Sequence, residues 1–534
     1  MSALLPAIVA LPALAGAVCA LVGARLGDRA GMVGAAGAAL ALCLAVLVGV
    51  HVAAAGPVSL VIAGPHGVAR AGLFADRLSA VMLLLVLGVS ALVQLFSSRY
   101  LSGDPRQARL AAWLGFTTAA VSALVCAVTL SGLVVAWLAS GIGLLGLLAH
   151  RADLPAARLA VRRAATAFAV GDLALLAGAA TVWATVGDLD LRRLAIELPA
   201  LARHPLVAGV TPGGLLALLL VVAAVGRSAQ LPLQRWLPAS VAAPTPVSAF
   251  LHAGLVNAGG FLLVRLAPVF GMSALATAVA FTAGAASALY GTALMLVRPD
   301  VKGSLAHSTM GQMGFMVMAA ALGVPGAVVF HLVGHGMYKA ALFLGADSVI
   351  HNSKRRATVA RPAPAGVSLP RSARLLLAAV VPAGALAASI AIFAGPALAH
   401  PGAFVLIAFA WATAATAGWR WLGAAPGVPA AGLLALAAAC AAYAGLVAGA
   451  SAFLDPAIGS LPHPVSPWLG LVPVVVGASL ALGARRERLY GALYVRALDA
   501  GHVAEPGPSP VRRRRPTHTV SVLLPVLVPG EQSA

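Results

Sequence analysis

Residues 226–265 are GRSAQLPLQRWLPASVAAPTPVSAFLHAGLVNAGGFLLVR, a stretch with prolines, polar side chains and a histidine in otherwise apolar sequence. A proline lacks the backbone N–H that a helix interior requires. A helix that enters at Gly226 is therefore predicted to break and to restart near Thr245, with the helix-breaking prolines being Pro232, Pro238, Pro244 and Pro246. The restarted helix carries His252 and Asn257 among small residues, which favours a position in a helix-packed interior. This stretch is a candidate for an internal polar path.

The composition places the chain among polytopic membrane proteins. Of its 534 residues, 61% are hydrophobic and only 9% are charged, whereas about a quarter of the residues in a soluble domain are charged. A spanning helix needs roughly 20 apolar residues, and the chain divides into about 13 or 14 such segments, among them 164–186 and 467–483. We predict an all-α membrane domain over residues 1–500, with its core at 76–350 and with broken helices.

The net charge of +20 reflects arginines in short clusters between apolar spans, which indicates membrane topology rather than nucleic-acid binding. Three clusters, at 25–29, 99–109 and 151–163, fall in loops that are separated by even numbers of predicted spans and therefore lie on one side of the membrane. The positive-inside rule predicts that these loops are cytoplasmic and that the N-terminus lies outside a cell inner membrane. The near-neutral loop at 187–206 fits the opposite side.

Two segments outside the spans have a distinct composition. Residues 56–77 contain short β-like runs separated by turn residues, which predicts an external hairpin or loop. From 501 to 534 the chain is rich in proline and arginine and is predicted to be a disordered tail, which Arg512–Arg515 could hold near anionic lipid.

Three titratable residues, His331, His335 and Lys339, recur at every fourth position of one apolar segment. On a helix this spacing places them in a stripe about 80° wide, with steps of about 6 Å along the axis. Histidine and a buried lysine can both release and regain a proton, so the stripe is suited to a proton relay. The structural alternative is that packing satisfies the histidines and that the lysine extends to an interface.

Arg227 and Asp172 are isolated charges within spans. Arginine stays protonated, so Arg227 can act as a fixed charge but is a poor proton carrier. Asp172 either pairs with Arg227 or caps a helix near an interface, and the sequence leaves both open. Lys302, His307 and Asn257 are accessory candidates. The four cysteines are scattered singly, so no metal site or disulfide framework is predicted.

The segments GRSAQLPLQRWLP and APTPVSAFLHA, together with DVKGSLAHSTMGQMGFM at 300–316 and FHLVGHGMYKAALFL at 330–344, resemble the proton-translocating antiporter-like subunits of respiratory complex I and multisubunit cation/proton antiporters. Within that superfamily, WLASGIGLL at 137–145, HAGLVNAGGFLL at 252–263 and RLYGALYVRALDAG at 488–501 are similar to the DabB family, the membrane subunit of an inorganic carbon accumulation system.

This resemblance implies that proton movement through Asp172, Arg227, His252, His331, His335 and Lys339 drives a soluble, zinc-containing, carbonic-anhydrase-like (DabA-like) partner that captures CO2 as bicarbonate. The zinc belongs to that partner, so we expect no cofactor in this chain and no enzyme activity of the isolated chain.

The sequence departs from the family pattern at several positions. Arg227 replaces the family's lysine, Gln234 a histidine and Ala239 an acid, and the late spans 373–395 and 402–422 hold no ionisable group except Arg374 and Arg420, near their ends. Proton exit by the family's usual late route is therefore in question. Two other interpretations remain open: a subunit of complex I or of an Mrp-type antiporter, and a purely structural scaffold.

Overall fold

The computed structural model describes residues 1–63, 69–203, 206, 210–346, 370–393, 401–424, 430–458, 461, 464–472, 475 and 495–496. The predicted tail at 501–534 and most of the predicted span at 467–483 lie outside this part of the chain.

Long apolar helices make up the domain, as the composition predicts. In the described residues, twelve are long and apolar enough to cross a membrane. Pro212–Arg227 is a further, shorter apolar helix. The helices of the first half are α1 (Leu4–Leu26), α2 (Ala30–Ala55), α3 (Arg77–Tyr100), α4 (Gln107–Val125), α5 (Leu130–Leu148), α6 (Pro155–Val186) and α7 (Leu194–Ala202). Those that follow are α8 (Pro212–Arg227), α9 (Trp236–Ala239), α10 (Thr245–Ala253), α11 (Ala258–Arg265), α12 (Ala267–Phe270), α13 (Ala274–Val297), α14 (Val301–Ala321), α15 (Pro325–Leu344), α16 (Arg371–Ile392), α17 (Pro401–Ala424) and α18 (Ala430–Leu454).

The predicted hairpin at 56–77 is present as two antiparallel strands, β1 (Val58–Ala63) and β2 (Ala69–Ala75), with Val58 opposite Ala75. It is tied to the α4–α5 connection, because Phe74 N donates to Cys126 O at 2.7 Å. We call this side of the bundle the hairpin end.

Three arginine-bearing loops meet at the other end of the bundle, which we call the basic end (residues 27–29, 101–106 and 149–154). Ser102 Oγ donates to Asp28 at 2.8 Å, which joins the first two loops. Arg106 and Arg109 both donate to the carbonyl of His150, at 3.3 and 2.9 Å, which joins the second to the third. The inference that these loops share one side is confirmed, and their cytoplasmic location stays a prediction.

Two predicted boundaries were wrong. The span expected at 164–186 begins at Pro155, because proline is favoured in the first helical turn. Arg158, Arg162 and Arg163 therefore lie on a helix and not in a loop. The loop expected at 187–206 contains α7, which tolerates Pro199 in its interior.

An ion pair ties α11 to α3 at the hairpin end. Arg265 donates to both carboxylate oxygens of Asp76, at 2.5 and 3.1 Å, and to Ser79 Oγ at 2.7 Å. Burial raises the pKa of Asp76, but the guanidinium of Arg265 and the hydrogen bonds outweigh it and hold that pKa below its usual value. This buried pair fixes where the second half of the broken helix ends.

Candidate functional site

The 226–265 stretch breaks where the prolines predict. Helix α8 ends at Arg227, and α10 begins at Thr245 with Pro244 as its N-cap and Pro246 in its first turn. Between them lie Pro232, which follows a cis peptide bond, and Pro238, which lies within the single turn of α9. Side chains bond some of the backbone groups that the break leaves without helical partners, since Trp236 Nε1 donates to Gly226 O at 3.0 Å.

The restarted helix is itself broken, which the sequence analysis did not predict. Helix α10 ends at Ala253, and a 3-10 turn over Leu255–Asn257 leads into α11. His252 therefore lies before this second break and Asn257 at the end of it, and the two do not share one continuous helix. Gly254 adjoins the break, and its position in a small-residue run was the available signal.

Asp172 and Arg227 form an ion pair in the interior. Arg227 Nη2 donates to Asp172 Oδ1 at 2.9 Å, and Arg227 is 2% exposed. Nη1 of the same guanidinium donates to Ser140 Oγ at 2.9 Å. The pairing that the sequence left open is therefore present, with Asp172 on α6 and Arg227 at the end of α8.

The stripe of titratable residues lies on α15 as predicted. The rings of His331 and His335 are nearly parallel, with centroids 6.3 Å apart. Lys339 is 1% exposed and donates to Leu305 O of α14 at 3.0 Å. His335 is also buried. The snorkelling alternative for Lys339 is not supported, because its ammonium ends on a buried carbonyl.

His252 joins the stripe from α10. Its ring stacks on Phe343 of α15 with centroids 4.7 Å apart, and Phe343 lies one helical turn after Lys339. The two backbones approach closely because α15 has a glycine there: a Cβ at Gly336 would lie 2.6 Å from Ala253 O. His252, His335 and Lys339 thus belong to one buried group between α10, α14 and α15.

The accessory candidates are hydrogen-bonded at the edges of this group. His307 Nδ1 lies 2.8 Å from Gly303 O, and Lys302 Nζ donates to Ala243 O at 3.3 Å. Asn257 Nδ2 donates to Ala253 O at 2.8 Å. These contacts support a structural role for the three side chains.

Several polar atoms of the buried group lack a protein partner. Both ring nitrogens of His252 and of His335, and Nε2 of His331, accept or donate no hydrogen bond to the described residues. Buried polar groups usually have partners, which are often water molecules. Imidazoles a few ångströms apart that can exchange protons through water form a chain that can pass a proton.

The described residues contain no cluster of three or more His, Cys, Asp or Glu side chains that could hold a metal ion.

The sequence of the chain matches two protein families. Residues 127–381 match "NADH:quinone oxidoreductase/Mrp antiporter, TM", and residues 68–110 match "NADH-Ubiquinone oxidoreductase (complex I), chain 5 N-terminus". Together these regions comprise more than half of the sequence and include α15 and the two helix breaks between α8 and α11.

Curated relatives match about half of the chain. The chain is 40% identical over 284 residues to "Probable inorganic carbon transporter subunit DabB1" of Halothiobacillus neapolitanus, covering 53% of this chain and 50% of the relative. It is 37% identical over 291 residues to NADH-quinone oxidoreductase subunit L of Rhodobacter capsulatus, covering 52% and 41%. The chain spans about half the length of the curated relatives it matches.

Two solved structures share the fold. A chain of the Mrp complex from Dietzia sp. DQ12-45-1b has a TM-score of 0.58 at 28% identity, covering 93% of this chain and 52% of that one. A chain of an archaeal membrane-bound sulfane sulfur reductase has the same TM-score at 17% identity, covering 93% and 99%. With its two matched regions, broken helices and buried histidine–lysine group, the chain belongs to the superfamily of antiporter-like membrane subunits found in NADH:quinone oxidoreductases and Mrp antiporters.

Proposed function

We propose that this chain is a proton-conducting subunit in which His252, His331, His335 and Lys339 form the relay. The observation that carries this proposal is the buried group between α10, α14 and α15, where five imidazole nitrogens have no hydrogen-bond partner among the described residues. Burying ionisable groups in a membrane interior is costly, so a structural scaffold would gain nothing from keeping them. Asp172 and Arg227 contribute charge beside this relay.

We further propose that the proton motive force is coupled here to the uptake of CO2 or bicarbonate. The partner would be a soluble, zinc-containing, carbonic-anhydrase-like (DabA-like) protein, and the complex would lie in the cell inner membrane with the N-terminus of this chain outside. The 40% identity to a probable inorganic carbon transporter subunit supports this assignment. So does α5, whose segment WLASGIGLL resembles the DabB family and supplies Ser140 to the guanidinium of Arg227.

The second candidate is a subunit of respiratory complex I or of an Mrp-type sodium/proton antiporter. Its support is the 37% identity to subunit L and the fold shared with a chain of an Mrp complex. This candidate uses the same relay but couples it to electron transfer or to sodium, so the two are separated by what the complex transports.

Growth at ambient CO2 tests the proposal. The full chain is expressed with its soluble partner in a bacterium that lacks carbonic anhydrase, and the His335→Leu variant of the same complex serves as the control. We expect the wild-type pair to restore growth and the variant not to. Absence of growth with an assembled wild-type pair, together with restored salt tolerance in a strain lacking sodium/proton antiporters, would favour the second candidate.

A further inference from the structure

We propose that Trp137, Ser140, Phe168 and Asp172 form a guanidinium-selective cage that holds Arg227 as a permanent cation, so that the proton route starts at His252 and bypasses the break between α8 and α10. The second half of this proposal rests on the proposed function, whereas the cage does not. Trp137, Ser140 and Phe168 are then positioning residues for a fixed charge.

Two aromatic rings lie against the guanidinium. Its central carbon lies 4.4 Å from the ring centroid of Trp137 and 4.6 Å from that of Phe168. Contacts of this kind favour arginine, because a planar, weakly hydrated guanidinium stacks on rings in a way that an ammonium does not. The rings come from α5 and α6, so the stacked cation holds these two helices to α8.

Hydrogen-bond acceptors meet both Nη atoms of the same group, whereas its buried Nε has no hydrogen-bond partner among the described residues. Nη1 donates to Ser140 Oγ at 2.9 Å, Nη2 donates to Asp172 Oδ1 at 2.9 Å, and both lie 3.3 Å from Trp137 O. Trp137 Nε1 also donates to Asp172 Oδ1 at 2.7 Å, which keeps the carboxylate in place. The acceptors are distributed over two nitrogens, and the single nitrogen of a lysine cannot reach them together.

The backbone of α5 leaves room for the planar group. A Cβ added at Gly141 would lie 2.8 Å from Nη2 and 3.2 Å from the central carbon of Arg227. Even an alanine at this position would force the guanidinium to move. The cage therefore fits a guanidinium in shape as well as in charge.

A caged arginine cannot be a step of a proton route. Guanidinium does not release its proton in proteins. Among the described residues, Asp172 is the only titratable group that hydrogen-bonds it. The next side chains along the break are also poor carriers: Ser228 donates to Val256 O at 2.7 Å, and Gln230 donates to Ser228 O at 2.6 Å. No described hydrogen bond or ring contact connects Arg227 to His252.

Chemical rescue tests the cage directly. The melting temperature of the purified full-length protein in detergent is measured for Arg227→Ala and Arg227→Lys, with Arg235→Ala, an exposed arginine of the same break, as the matched control. We expect both changes at 227 to lower the Tm and the control to leave it unchanged. Guanidinium chloride, at concentrations that leave the wild type unaffected, should recover most of the Tm lost by Arg227→Ala, whereas ammonium chloride should not. Equal effects of the two salts, or a wild-type Tm for Arg227→Lys, would overturn the cage.

A double-mutant comparison keeps the test informative if Arg227→Ala is poorly produced. Phe168→Leu should lower the Tm of the wild type, and it should lower the Tm of Arg227→Lys much less, because the stacked guanidinium is already lost. Phe270→Leu, a buried phenylalanine without a cation contact, should have the same effect in both backgrounds. Equal effects of Phe168→Leu in the two backgrounds would show that this ring only fills space.

The pH profile of proton uptake by the reconstituted complex tests the route. Assembled Arg227→Lys should retain the wild-type pH midpoint, because position 227 is outside the route. A faster uptake with a shifted midpoint would show that a titratable side chain at 227 carries protons. If the wild-type complex itself takes up no protons, the proposed function fails, whereas the Tm results still decide the cage.

Discussion

Replacing Lys339 by methionine tests the relay with little disturbance of the fold. The ammonium makes one hydrogen bond among the described residues, to Leu305 O at 3.0 Å. That carbonyl keeps a partner after the change, because Thr309 Oγ1 also donates to it, at 2.9 Å. Methionine is flexible and of similar length, so it can fill the space between α14 and α15. We therefore expect Lys339→Met to assemble at the wild-type level.

The length of the stripe on α15 sets how strongly proton transfer along it should depend on the membrane potential. His331 and Lys339 are eight positions apart on α15, which is about 12 Å along the axis, or about 0.4 of a hydrocarbon core about 30 Å thick. A charge that crosses the whole membrane gains about 2.3 kcal/mol per 100 mV, so this stretch contributes about 0.9 kcal/mol when α15 lies along the membrane normal. The ratio of proton occupancies at its two ends then changes about 4- to 5-fold per 100 mV. Without Lys339 the stripe ends at His335, and the change falls to about 2-fold.

The measurement uses the complex in proteoliposomes containing a pH-sensitive dye, with membrane potentials of about 0 and 100 mV set by potassium gradients and valinomycin. Lys339→Met should take up protons more slowly, and its rate should depend less on the potential than that of the wild type. Tyr338→Phe, on the exposed side of the same helix, is the matched control and should behave as the wild type. A wild-type rate and voltage dependence in assembled Lys339→Met would refute the relay.

The ends of the bundle yield two further predictions. Asp76→Asn keeps the N-cap of α3, because asparagine caps as well as aspartate. It leaves Arg265 as an unpaired buried charge, which costs about 3 kcal/mol, so we expect a lower Tm. As the control, Asp28→Asn changes an exposed carboxylate and should have little effect on the Tm. The pKa of Asp76 is lowered in the folded protein, so the ion pair stabilises the fold at pH values above the unfolded pKa of about 4. This stability is lost as the pH falls through the folded pKa. A Tm that declines equally in wild type and Asp76→Asn on acidification would contradict this. In a cysteine-free protein, Asp188→Cys should react with an impermeant maleimide from outside the cell and Arg162→Cys only after permeabilisation, and the opposite pattern would invert the topology.

Much of the architecture follows from local sequence patterns. Twenty or so apolar residues form a helix in a membrane whatever their neighbours, because each backbone group must be bonded within the segment. Prolines likewise act locally, so the break between Arg227 and Thr245 could be located in advance. The stripe of His331, His335 and Lys339 needed only the helical period.

The boundaries depended on weaker signals. The start of α6 at Pro155 was missed because three arginines near that end resemble a loop, although their long side chains can leave a helix for the interface. The second break, beside Gly254, was missed because glycine only permits an irregular backbone, whereas proline enforces one.

The sequence by itself determined that this is a polytopic helical membrane protein, that a helix breaks between Arg227 and Thr245, and which side chains share one face of α15. These properties depend on residues close together in the chain. Only the tertiary structure decided that Asp172 pairs with Arg227, that the rings of Trp137 and Phe168 contact the guanidinium, and that His252 stacks on Phe343 of α15. These contacts join residues that are dozens of positions apart. The packing of whole helices brings them together, and that packing is the sum of many contacts that no local pattern contains.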